Sequence, residues 1–167
     1  MFNVVLVEPE IPPNTGNVGR LCLATGSTLH LVKPLGFTLD DKQLQRAGLD
    51  YWKDVDLRVW NSLAELQSAS KRSAGRDGGS SNGARYFFVT TKSQRAYYDV
   101  QFTRGDFLVF GRETKGLPEA LLSENAEQTI TIPMVGTRSL NLATAVAIVL
   151  FEAVRQQRTA TTEASRG

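Results

Sequence analysis

The sequence predicts an α/β fold, a mostly parallel sheet with flanking helices. Short apolar runs rich in β-branched residues recur along the chain, helix-periodic segments lie between them, and glycine- and asparagine-bearing loops follow several of the runs. Strands are expected at 2–7, 29–32, 56–59, 86–90, 106–110 and 129–132. The first helix is expected over 15–25, where Val18, Leu21, Cys22 and Thr25 fall on one inward stripe. Asn17, Arg20 and Ala24 share another face. Thr38-Leu39-Asp40-Asp41 resembles a capping box and opens a short helix toward Arg46. A further short helix is expected over 62–70. The longest, over 141–157, is apolar almost all round from Leu142 to Phe151 and needs burial on several sides.

At 167 residues, the chain is one domain's worth of length, with 41% hydrophobic and 22% charged residues. The domain is placed at 1–158. The segment 71–85, with four Gly, three Ser and four basic residues against one acidic, reads as a flexible surface loop inside that domain. The small polar tail 159–167 reads as frayed. No run approaches the ~20 apolar residues of a membrane span, and the N-terminus has no basic leader, so a cytoplasmic protein is expected. The single cysteine, Cys22, excludes an intramolecular disulfide and a multi-Cys zinc site. The single histidine, His30, lies in an apolar run and reads as a satisfied structural histidine, so chemistry needing neither a metal nor a histidine is favoured. A formal charge of +2 permits an anionic partner such as RNA without demanding one.

Three segments at strand ends hold the candidate chemistry, since ligands of open α/β sheets collect at the carboxyl ends of the strands. In Glu8-Pro9-Glu10-Ile11-Pro12-Pro13-Asn14-Thr15-Gly16-Asn17-Val18-Gly19-Arg20, two prolines lead into a helix N-terminus suited to an anion, with Arg20 in reach of the same space. A proline-rich turn with an asparagine cap explains the segment equally well. Phe110-Gly111-Arg112-Glu113-Thr114-Lys115-Gly116-Leu117-Pro118 lets a ligand approach the backbone at Gly111 and turns into a helix near Pro118; alone, it also reads as an exposed charged turn. Ile132-Pro133-Met134-Val135-Gly136-Thr137-Arg138-Ser139-Leu140-Asn141-Leu142 enters the long helix, with Ser139 or Asn141 as its cap. Neither a Walker loop nor a Gly-x-Gly-x-x-Gly turn is present.

As an ordered set these segments resemble the three motifs of the SPOUT RNA methyltransferases. The likeness runs from about residue 2 to 157 and is nearest to the small single-domain group that methylates the wobble ribose 2′-oxygen of certain leucine tRNAs. The resemblance implies a C-terminal trefoil knot, S-adenosylmethionine as methyl donor with no metal, and a tRNA substrate carrying cytidine or a modified uridine at the wobble position. It also implies a homodimer whose active site draws on both subunits. Carried over by position, Val89, Thr90, Gly111, Ile132, Met134, Ser139 and Leu140 surround the cofactor. Asn14, Arg20, Glu113 and Asn141 are catalytic, with Arg20 at the reacting hydroxyl and Glu113 orienting Arg20 or another donor. Arg46, Arg112 and Arg138 meet tRNA phosphates. Departures from the family pattern are Gly19, where a larger aliphatic is common, and Phe151 and Val154, where tyrosine and tryptophan are usual. The competing readings are a 2′-O-methyltransferase for another tRNA or rRNA site, a catalytically inactive knotted RNA-binding protein, and an α/β enzyme for a small anionic metabolite.

Overall fold

Strands buried on both faces read as continuous apolar runs, and four of the runs in this chain behave in that way. In the computed structural model, which describes residues 1–39, 49–74 and 83–164, they are β1 (Asn3–Val7), β2 (Thr28–Val32), β4 (Tyr86–Val89) and β5 (Phe107–Phe110). The other two strands, β3 (Leu57–Trp60) and the two-residue β6 (Thr129–Ile130), form the edges. Among the described residues the sheet has the order β3-β2-β1-β5-β4-β6, and every pairing is parallel. The strand order reverses between β1 and β5, and the crevice beyond their carboxyl ends is where such sheets bind ligands.

Helices cover the two faces unequally. On one face α1 (Pro12–Thr25) and α4 (Leu142–Ala164) pack together and bury Val18, Cys22, Val146, Val149 and Leu150 against Val4, Leu6, Leu29, Leu31 and Leu108. On the other, α2 (Leu63–Ala74) brings Leu66, and the short α3 (Glu119–Glu124) brings Leu122, against Val5, Val7, Phe88 and Val109. Each fully buried Val, Leu or Phe side chain contributes roughly 1.5–3 kcal/mol. Burial leaves Cys22 an inert thiol, its pKa pushed up to about 12. The α1–α4 face carries helices of 14 and 23 residues, and the α2–α3 face helices of 12 and 6.

The expected strands agree with those observed to within two residues at each end. The helices differ more. α1 starts at Pro12 rather than near Thr15, because proline's fixed φ and missing N–H suit the first helical positions. Asn14 is therefore inside the first turn and is not the cap. Gly26, at φ 65°, ends the helix in the left-handed conformation. α2 extends to Ala74, into the segment read as a loop, and α4 is helical as far as Ala164, beyond the point where the tail was expected to fray. The short helix toward Arg46 lies outside the described residues. A 3₁₀ turn over Leu49–Asp54, not foreseen from the sequence, explains the small residue at Gly19. A Cβ there would stand 2.5 Å from the Trp52 ring, so the indole fills the space a larger aliphatic would take.

His30 is 2% exposed and fully bonded. The Trp60 indole N–H donates to Nδ1 (3.0 Å), which leaves the proton on Nε2, facing Asn3 Oδ1 (3.1 Å). Asn3 Nδ2 in turn donates to the Gly105 carbonyl (3.0 Å). Burial, helped by the charge of Arg58, pulls the His30 pKa down from 6.5 to about 4. As pH falls below 6.5 the unfolded chain takes up a proton that the folded chain refuses until about pH 4. Stability from this group is complete above 6.5 and lost across that window, at up to about 1.4 kcal/mol per pH unit. In urea unfolding, the deficit of His30→Gln relative to the parent is expected to shrink steadily from pH 7 to pH 4. A pH-independent deficit would mean that His30 titrates alike in the folded and the unfolded chain.

Candidate active site

The loops leaving β1 and β5 are interlocked residue by residue. The Glu8 carboxylate pairs with the Arg112 guanidinium, and the Glu10 N–H donates to Glu113 Oε2 (2.8 Å). The Glu10 carboxylate accepts from both the backbone N–H (3.1 Å) and the hydroxyl (2.8 Å) of Thr114. Hydrogen bonds from Thr114 hold the Glu10 carboxyl below the usual carboxylate range. Glu8 adopts a positive φ of 53°, a conformation uncommon for a residue with a side chain.

Glu113 also solves a local problem for α1. The residue before the helix, Ile11, has no side chain able to cap it. Glu113 reaches across from the β5 loop and accepts from the Ile11 N–H (3.2 Å) and from Asn14 Nδ2 (3.2 Å). A carboxylate at a helix N-terminus is favoured by the helix dipole as well as by those bonds. Asn14, 7% exposed, passes the connection on: its Oδ1 accepts from Asn141 Nδ2 (2.9 Å). Asn141 Oδ1 then caps α4 through the N–H groups of Ala143 (2.9 Å) and Thr144 (3.4 Å). Of the two candidate caps for the long helix, Asn141 fills the role. Three loops far apart in sequence are thereby joined by one relay, Glu113–Asn14–Asn141.

A cleft of about 630 Å³ opens beside this relay. Val89, Thr90, Gly111, Ile132, Met134, Ser139 and Leu140 all line it, as do Asn14, Glu113, Asn141, Arg112 and Arg138. Gly111 is required by packing. A Cβ there would lie 2.1 Å from the Gly116 carbonyl carbon, so only glycine lets the loop fold back on itself, with Gly116 at φ 66°. Leu117 and Leu122 supply apolar wall that the motif reading passed over, although Leu117 was quoted in the motif. Lys92, also missed, lines the cleft and pairs with Glu119 at the start of α3; nothing in its sequence neighbourhood marks it.

Two candidate residues are placed differently from expectation. Arg20 does not line the cleft; it is exposed on α1, with its guanidinium 5.4 Å over the Tyr51 ring. Glu113 accordingly orients Asn14 and backbone N–H groups, not Arg20. Arg112, expected at phosphates, is committed to Glu8. Arg138 is exposed at the cleft, and Arg46 lies outside the described residues.

An open parallel sheet with a switch-point cleft built from backbone-rich loops defines a class of α/β ligand-binding proteins. Within it, the chain belongs to the SpoU rRNA Methylase family, whose model matches residues 1–151. It is 49% identical over 161 residues to a tRNA (cytidine(34)-2'-O)-methyltransferase of Burkholderia pseudomallei, covering 93% of this chain and 96% of the relative. A protein of the same name from Yersinia pestis is 48% identical over 158 residues, covering 93% and 94%. A solved structure from work on 2-OH methylation of C/U34 on tRNA superposes with a TM-score of 0.85 at 45% identity, covering 95% of this chain and 97% of that one.

Truncating Glu113→Ala strands two backbone N–H groups and the Asn14 amide, and should destabilise the fold by about 2–3 kcal/mol. Glu113→Gln, which keeps an acceptor oxygen, should cost less than half of that. Urea midpoints of the two variants check this; equal, small losses would show that the relay is not under load.

Proposed function

We propose that the protein is a tRNA 2′-O-methyltransferase, transferring a methyl group from S-adenosylmethionine to the ribose 2′-hydroxyl of the wobble nucleotide, cytidine or a modified uridine, of leucine tRNAs in the cytoplasm. The observation that carries this is the convergence of all three motif loops on one cleft, tied by Glu113–Asn14–Asn141. Relatives named for methylation of cytidine 34, nearly half identical over almost the whole chain, support the position.

The cleft suits the donor. Leu117, Leu122, Ile132 and Leu140 offer apolar wall for a flat base, and the backbone around Val89, Thr90, Gly111, Met134 and Ser139 offers hydrogen-bonding groups. S-adenosylmethionine supplies a methyl group already activated on a sulfonium. The chain's part is to set the 2′-hydroxyl in line, at roughly 3–3.5 Å from the reacting carbon, and to hold water out. Asn14 and Asn141 fix the loops that do this. A guanidinium is a poor proton acceptor, so Arg20 is assigned to orienting the ribose or its phosphate by its planar fork.

The position of Arg20 on the exposed face of α1 supports a homodimer in which it serves the partner's cleft. Leu23 on α1 and Phe151 on α4 are exposed hydrophobics on adjoining helices, the composition expected of a covered face. Arg138 is the proposed phosphate contact at the cleft. The trefoil knot is also proposed. The crossover from β4 to β5 is bonded to Thr131, ahead of the loop into α4, through Tyr97 (2.9 Å), and to Gln156, within α4, through Phe102 (2.8 Å).

Incubation of total tRNA with labelled donor, followed by nucleoside and position mapping, should place the label on the ribose of nucleotide 34 of leucine tRNAs. Label on a base, or at another position, overturns the assignment. Arg20→Lys should lose most turnover while donor binding, read by calorimetry, is retained; turnover near that of the parent would remove Arg20 from the reaction.

A further inference from the structure

A second cleft, of about 650 Å³, lies at the amino ends of the strands, on the α2 face of the sheet. It is as large as the proposed catalytic cleft and is unused by it. Its floor is aromatic: His30 stacks with Trp60 (6.1 Å, 21°) and lies against Phe107 (5.5 Å). Its rim is cationic. Among the described residues Arg58 reaches one carboxylate, Asp56, at 3.7 Å, and both side chains are 57% exposed. Arg104 is exposed and faces no carboxylate within ion-pair distance among the described residues. Arg85 neutralises the buried Asp106 through two bonds (2.6 and 2.9 Å), and this carboxylate therefore does not repel an anion. Lys71 and Arg72 follow Ser70 of the cleft wall and are exposed.

Among the described residues the cleft lining holds three basic side chains, Arg58, Arg85 and Arg104, and one acid, Asp106, which Arg85 neutralises, around an aromatic floor. We propose that this amino-end cleft is a second RNA-binding site, where Arg58 and Arg104 hold backbone phosphates of a single-stranded segment beside Trp60. Guanidinium forks recognise phosphate oxygens, and aromatic floors accept bases without sequence preference. The inference extends the tRNA reading of the catalytic cleft by adding a contact about a strand's length away, within reach of one tRNA molecule.

The chain has two tryptophans, so in Trp52→Phe the emission reports Trp60 alone. Titration with a short oligouridylate should quench it saturably, and Arg58→Ala/Arg104→Ala should weaken the affinity roughly 5–10-fold. The slope of log affinity against log salt should fall by about 1.4 for two lost phosphate contacts. Donor binding and thermal midpoint, measured on the same variant, should be unchanged. Uridine monophosphate binding as tightly as the oligomer would make this a small-nucleotide site and overturn the RNA assignment. An unaltered affinity and salt slope in the double variant would overturn it as well. Since the oligomer titration does not depend on methylation, failure of the tRNA-modification assay leaves this result readable on its own.

Discussion

The Glu113 carboxylate is the constraint on which the loops at the carboxyl end of the sheet depend. It accepts from two backbone N–H groups ahead of α1 and from Asn14, whose own carbonyl oxygen takes the Asn141 amide. Each asparagine is used at both ends of its side chain, so neither can rotate without breaking a partner's bond. In this partly buried polar network every member is satisfied, and leaving one unpaired would cost its desolvation. That condition makes the three loops a single rigid unit rather than three independent turns.

Rigidity there shapes the cleft, whose wall includes tightly folded backbone. Gly111 folds against Gly116 with no room for a Cβ, and the wall's shape is therefore a property of the loop path rather than of exchangeable side chains. The ladder of Glu8 with Arg112 and Glu10 with Thr114 fixes that path from the β1 side. Arg112 is charged and near the cleft, yet its partner turns it into part of the scaffold. Arg138, on the loop into α4, keeps its exposure.

The two ends of the sheet have opposite designs. At the carboxyl ends, side chains are locked together around a cleft. At the amino ends, His30, Trp60 and Asn3 form a neutral, satisfied floor while the charges stand at the rim. A floor that cannot be protonated in the neutral range, because burial holds His30 near a pKa of about 4, adds no charge of its own to what the arginines attract.

Sequence alone determined the sheet. Apolar runs of four to six residues have one stable use in a chain of this size, and their spacing by helix-periodic segments dictates parallel pairing. The cleft-lining positions were legible through the family resemblance that the ordered motifs carry; strand-end loops by themselves left each segment open to a plainer reading. Tertiary structure decided what a linear pattern does not encode: which donor meets which acceptor across about a hundred residues of separation. It moved Asn14 from cap to connector, because the prolines enter the helix. It gave Glu113 to α1 instead of to Arg20, and it set Arg20 on Tyr51, on the exposed side of α1. It also filled the space at Gly19 with Trp52, a contact set by three-dimensional proximity and invisible to periodicity.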